Sequence, residues 1–214
     1  MTEPSSESVM GRLVEVVAQV IDTNRELLGD LDRAIGDGDH GVNMQRGFAA
    51  ALQQKNDIAM LPLSAALEMI GNILVQTVGG ASGPLYGSLF IAMGKAAANS
   101  EGDVSVADIL SSGVAAVKKR GKSDRGEKTM LDVLVPVQLA WAKACEEGLP
   151  KAEALDLVQR AAKEGLESTR PLIAQKGRAS FLRERSKGHL DPGAYSSFLL
   201  VDAACRTFLE ERKS

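Results

Sequence analysis

The stretch "RLVEVVAQVIDTNRELLGDLDRAIGDGDHGVNM", Arg12 to Met44, decides the fold. In its first half Leu13, Val17, Val20, Asn24 and Leu27 follow one another by three or four. That is the spacing of one helix face, and it predicts a helix over residues 5–28. The second half loses the period. Asp30, Asp32, Asp37 and Asp39 crowd together with Gly29, Gly36, Gly38 and Gly41, and with His40, one of only two histidines in the chain. This part reads as a loop, after which a second helix runs over 42–53. Asp30 is assigned to the end of the preceding helix.

Working outward, the same helical spacing recurs along the whole chain. Pro62 and Ser64 open a third helix through Leu67, Ile70, Ile73, Leu74 and Thr77, which stops at Gly79–Gly80. A fourth starts near Pro84 and carries Leu89, Phe90, Met93 and Ala97. Ser105 with Asp108 predicts a capping box for a fifth, ending near Arg120. Thr129 with Asp132 predicts another for a sixth, which Pro136 bends. Pro150 suits the first turn of a seventh, with Leu155, Val158, Ala162, Leu166 and Thr169 along one face. The eighth runs from Gly193 through Phe198, Val201, Cys205 and Phe208. Aromatic residues are only 4% of the chain and alternating β-branched runs are nearly absent. The expectation is therefore all-α, one domain spanning residues 1–214, without a linker or internal repeat.

Composition excludes several functions. A net charge of −3 does not suit a general nucleic-acid binder or a membrane-surface protein. No apolar run approaches a membrane span, and the polar start "MTEPSSES" has no signal-peptide pattern. Cys145 and Cys205 lie outside any metal spacing and are expected to be small buried hydrophobes. A reducing, cytoplasmic setting is the expectation.

The glycines gather in four loops, those after helices one, three, five and seven. In an up-and-down helical array such loops share one end, and there the chemistry concentrates. Asp32, Asp37 and Asp39 repel one another unless a hard cation lies between them, and magnesium suits a few carboxylates plus phosphate oxygens. A calcium loop counted from Asp37 fails, with Val42 at position six and Phe48 at position twelve. Asp39 could alternatively serve as a polar helix cap. In "VGGASGPLYG", Val78 to Gly87, small residues and Ser82 lead into a helix whose N–H groups can bind phosphate, though taken alone such a glycine pair is more often just a helix end. The loop "RGKSDRGEKTMLD" is followed by "KGRASFLRERSKGHLDPG", where Lys176, Arg178, Arg183, Arg185 and Lys187 face one acid, Glu184. Most of these are solvated, but an arginine beside the carboxylates could pair with phosphate. His40 and His189 could each contact phosphate, act as a phosphoryl acceptor or cap a loop. Together these parts suit phosphoryl transfer.

The motifs "GDGDHGVNM", "VGGASGPLYG", "GEKTMLD" and "KGRASFLRERSKGHLDPGA" resemble the nucleotide-binding L subunits of dihydroxyacetone kinases and the C-terminal domain of the single-chain, ATP-dependent kinases. The resemblance spans residues 30–196. It implies an eight-helix antiparallel barrel with ADP or ATP bound in the loops at one end. By motif match, Asp32, Asp37 and Asp39 would hold two Mg2+ ions. His40, Gly41, Val42 and Asn43 would line the phosphates, with Ala81 and Ser82 adding contacts. Gly121 and Met130 would flank the base, and Arg178, Asp191, Pro192 and Gly193 would complete the pocket. The catalytic set implied is Asp32, Asp37, Asp39, His40 and Arg178, with both histidines as nucleotide contacts and not phosphoryl carriers. The implied partners are a dihydroxyacetone-binding K subunit and a phosphohistidine M subunit that rephosphorylates ADP in place, in a homodimer or hetero-oligomer. Alternatives are an ATP-dependent kinase subunit for a related keto-sugar such as erythrulose, or a nucleotide-binding partner of a transcription regulator acting through protein contact.

Overall fold

The computed structural model describes residues 8–98 and 105–210, and these are helical without any strand. Residues 5–7 of the expected first helix lie outside the described residues. Among the described residues ten α-helices form where the periodicity suggested eight. They are α1 (Val9–Thr23), α2 (Arg25–Ile35), α3 (His40–Gln53), α4 (Lys55–Met60) and α5 (Leu63–Thr77), then α6 (Ser82–Ala98), α7 (Val106–Gly121), α8 (Leu131–Glu146), α9 (Lys151–Ser168) and α10 (Pro192–Glu210). A 3-10 segment, Arg178–Ser186, precedes α10.

The differences have local causes. The first helix is interrupted at Asn24, whose side chain bonds the Val20 carbonyl four residues back. The chain then resumes as α2, eleven residues long, and reaches Ile35. Asp30 therefore sits on a helix, as assigned, where it pairs with Arg33 one turn on, and Asp32 sits on that helix rather than in the expected loop. The next helix starts at His40, two residues before the expected Val42. The six residues of α4 are too few to show a period. Of the two expected capping boxes, Ser105 accepts from Asp108 N at 3.2 Å, and Asp132 accepts from Thr129 N at 2.7 Å. Pro150 is the residue before α9 rather than part of its first turn, and α8 runs through Pro136 without interruption. Cys205 is buried as expected, but Cys145 is exposed, on the outward side of α8.

The eight longest helices pack in a closed order. α1 lies on α3, α3 on α5, then each of α5 to α10 on the next, and α10 returns to α1. Each contributes an apolar stripe at helical spacing, such as Val14, Val17, Ala18 and Ile21 of α1. The enclosed core includes Phe48, Leu74, Leu131 and Leu199, with a second cluster where α8, α9 and α10 meet. α5 and α6 approach closely because Gly71 of α5 faces the backbone of α6: a methyl there would lie 2.9 Å from the Gly87 carbonyl oxygen. No helix among the described residues is long and apolar enough to cross a membrane.

Candidate functional site

At one end of the molecule a cavity of about 290 Å³ collects residues from all four glycine loops, including Asp37, Gly80, Gly121 and Gly177. Four helices present their first residues to it. These are His40 of α3, Ser82 of α6, Met130 just before α8, and Pro192 and Gly193 of α10. The positive ends of helix dipoles therefore converge on one space, which favours an anion.

Carboxylates face them. One oxygen from each of Asp32, Asp37 and Asp39 falls within 4.8 Å of the others. Asp32 comes from the last turns of α2 and is nearly buried, and its Oδ2 accepts the backbone N–H of His40 at 3.1 Å. The start of α3 is thus capped from α2. Asp39 precedes α3 but makes no capping hydrogen bond, so its carboxylate is not spent on the helix. Gly38, between Asp37 and Asp39, has φ +80°, which a side chain adopts only with strain. That turn brings the two flanking carboxylates to one place. Arg178 reaches across from the 3-10 segment, its Nη1 lying 2.9 Å from Asp37 Oδ2 while most of its side chain stays exposed. Ile35, Ala174 and Ala179 are buried together, with Leu182 packed on them, and they fix that segment against α2. Three carboxylates and one guanidinium leave a net negative cluster, and its all-oxygen donor set fits a hard divalent cation.

His40 is 7% exposed. Its Nδ1 lies 3.2 Å from Ser82 Oγ and its Nε2 2.9 Å from Ser196 Oγ. Burial lowers its pKa below the usual histidine value, against the opposing charges of Asp32 and Asp39. Both ring nitrogens are engaged, and the neutral ring is favoured. Asp191 caps α10, its Oδ2 accepting from Ala194 N at 2.7 Å, and burial pushes its pKa up to about 7.

The cavity brings together Asp32, Asp37, Asp39, His40, Ala81, Ser82, Gly121, Met130, Arg178, Asp191, Pro192 and Gly193. Three residues assigned to the phosphates do not line it. Gly41 faces α2, where a methyl would lie 2.9 Å from Gly29 N. Val42 is 55% exposed and borders a separate surface groove with Arg25 and Arg33. Asn43 is buried and accepts from Arg46 Nη2 at 2.8 Å. His189 is exposed and also lies off the cavity.

Two lining residues escaped the sequence reading. Lys128 is 1% exposed, with φ +60°. Its Nζ donates to the carbonyls of Thr169 at 2.6 Å and His189 at 2.5 Å. It ties the loop before α8 to the end of α9 and the approach to α10. Its only sequence signal was its place inside "GEKTMLD". Tyr86 is 1% exposed and bonds three groups on α10, though in the sequence it is one aromatic among small residues.

A family model described as the DAK2 domain matches residues 34–206. The chain is similar to the ADP-binding subunit of PEP-dependent dihydroxyacetone kinase 1 of Listeria innocua, at 43% identity over 188 residues, covering 87% of this chain and 89% of that one. It is 40% identical over 184 residues to the ADP-binding subunit of the Escherichia coli PEP-dependent dihydroxyacetone kinase, covering 85% and 88%. Among solved structures it matches the dihydroxyacetone kinase from C. freundii in complex with AMP-PNP and Mg2+, with a TM-score of 0.73 and 26% identity, covering 96% of this chain and 35% of that longer one.

Proposed function

Because the chain belongs to the DAK2-domain family, we propose that it is the nucleotide-holding subunit of a dihydroxyacetone kinase, carrying Mg-ADP or Mg-ATP and passing the phosphoryl group to dihydroxyacetone held on a separate K subunit. The observation that carries this reading is the opposition, in one cavity, of a three-carboxylate cluster and four helix N-termini.

Asp32, Asp37 and Asp39 would hold the Mg2+, in our reading two ions. When bound, Mg2+ supplies charge neutralisation and polarisation at phosphate oxygens. The remaining work falls to the chain itself. Backbone N–H groups at the start of α6, with the Ser82 hydroxyl, orient the phosphates. Gly121, Met130, Pro192 and Gly193 wall the base. Arg178, at the exposed lip and tethered to Asp37, places its guanidinium against the phosphoryl group in transit. The neutral His40 is a contact and not a phosphoryl carrier.

The relatives named as ADP-binding subunits of PEP-dependent kinases match over nearly their full length, and they support ADP as the nucleotide held; in our reading it stays resident and is rephosphorylated in place by a phosphohistidine subunit. Gel filtration followed by chromatography of the released nucleotide tests this. ADP that co-elutes with the protein and exchanges slowly with labelled ATP supports the reading. Rapid, complete exchange points instead to an ATP-dependent kinase subunit. A regulator could contact the chain only through protein surface, and a pull-down that recovers a regulator without a K-type subunit would argue against the catalytic role.

A further inference from the structure

The loop that carries backbone donors toward the phosphates is seated on one face of α3. Asn43, Arg46 and Gly47 are spaced by three and four residues, so they lie together on that helix. None of them lines the cavity, whereas Gly79, Gly80, Ala81 and Ser82 all do. Gly47 receives the side chain of Val78: a methyl at position 47 would overlap Val78 Cγ2. Val78 is buried, so packing fixes the start of the loop. The Arg46 side chain holds what comes before and after it. Its Nε donates to the Thr77 carbonyl at 2.6 Å, and its Nη2 donates to Asn43 Oδ1 at 2.8 Å.

Thr77 is the last residue of α5, and the final carbonyls of a helix have no partner within it. A cation from α3 therefore caps α5 at the point where the loop departs. Asn43 holds the guanidinium fork in that orientation. Gly79 lies against both side chains: a methyl there would be 2.6 Å from Asn43 Oδ1 and 2.9 Å from Arg46 Nη2. Beyond it Gly80 turns with φ +64°, and α6 begins at Ser82. Two consecutive glycines leave a chain free to take many shapes unless something outside it selects one. Here the selecting surface is the Asn43–Arg46 pair.

We propose that Arg46 and Asn43 are positioning residues for phosphate binding, holding the Gly79–Gly80 turn in the shape that presents Gly80, Ala81 and Ser82 to the anion. The proposal rests on the nucleotide reading and deepens it. α3 then aligns both halves of the site, the carboxylates through the contact of His40 N with Asp32 and the phosphate loop through Arg46. Asn43, expected from the motif match to line the phosphates, acts one step behind them. An arginine is required, because a lysine offers a point charge and not two donors in fixed relation.

Two measurements test it. In 15N relaxation of the unloaded parent, the amides of Gly79 and Gly80 should be rigid, with order parameters near 0.85. Values below about 0.6 in the parent overturn the proposal without any variant. In Arg46→Ala, which truncates an exposed side chain, both values should fall below about 0.6 while α10 keeps its own. Unchanged values at the two glycines overturn the proposal, and so does a loss of order throughout, which would mark a merely structural role. The second measurement is Mg-ADP affinity by calorimetry. Arg46→Ala should weaken it about 10-fold, as for a turn whose competent shape falls to about a tenth of the population. Arg46→Lys should remain at least about 5-fold weaker than the parent, and recovery to within about 2-fold would reduce Arg46 to its charge and overturn the positioning role. Failure of the parent to bind Mg-ADP at all would refute the nucleotide reading and this proposal with it, whereas each outcome above overturns the proposal alone.

Discussion

Gly41→Ala offers a quantitative test of how α2 and α3 build the carboxylate cluster. A methyl at position 41 would overlap the Arg25 carbonyl oxygen and lie 2.9 Å from Gly29 N and 3.0 Å from Arg25 C. All three obstacles are backbone of α2, so no side chain can rotate away. Restoring ordinary contact at about 3.5 Å requires the helices to part by on the order of 1 Å. Overpacking against backbone costs about 3 kcal/mol, near the top of the usual range. Alanine in place of glycine within a helix returns about 1 kcal/mol. The net loss of about 2 kcal/mol should lower Tm by roughly 4–8 °C for a chain of this size. Parting α2 from α3 also breaks the contact of Asp32 with His40 N, so Mg-ADP affinity should fall with stability. Gly80→Ala is the control, since a methyl there meets nothing within 4 Å and only its φ of +64° is strained. Thermal melting by circular dichroism and calorimetric titration would follow both variants. A Gly41→Ala protein with Tm within 2 °C of the parent and unchanged Mg-ADP affinity would refute the packing argument.

Lys128→Met should orphan the buried carbonyl of Thr169 and the part-buried one of His189 and cost about 3 kcal/mol, a Tm decrease of roughly 6–12 °C; a Tm within 2 °C of the parent would contradict the role given to that side chain. Asp191 has its folded pKa raised to about 7, so between the unfolded value near 4 and pH 7 the folded state holds the extra proton. Stability from this group is therefore highest below pH 4 and is lost as pH rises to 7, by at most about 4 kcal/mol. Urea midpoints at several pH values should show the decline in the parent and a flatter profile in Asp191→Asn, whose amide can still cap α10; parallel profiles would refute the assignment. Arg178→Lys should keep Mg-ADP affinity within about 3-fold but lower phosphoryl transfer with partner subunits by on the order of 100-fold, since a lysine cannot reproduce the planar fork. Equal activity in that variant would remove Arg178 from the transfer step.

The fold class and the gathering of the loops were legible because both rest on long patterns. Helical spacing repeats through most of the chain, and the end at which loops meet follows from the alternation of helices. The aspartate motif was legible because three carboxylates so close in sequence have few other uses. What escaped was short or tertiary. α2 shares its apolar stripe with α1, so the break at Asn24 leaves the period almost unchanged. The assignment of Gly41 to the phosphates rests on the motif match alone. The backbone that it meets is that of α2. Lys128 and Tyr86 have environments set by residues 41 to 111 positions away, and no local pattern announces them.

The central claim is that the three carboxylates hold the cation that makes a nucleotide phosphate welcome in the cavity. Calorimetric titration of ADP into the parent and into Asp37→Ala, each with Mg2+ and with EDTA, tests it most directly. At an effective dielectric near 20, one pair of like charges at about 4 Å costs about 4 kcal/mol. ADP affinity should therefore fall by at least about 100-fold when Mg2+ is withdrawn from the parent, and Asp37→Ala should lose most of its dependence on Mg2+. Equal ADP affinity in Mg2+ and in EDTA, or an unaltered Mg2+ dependence in Asp37→Ala, would contradict the account.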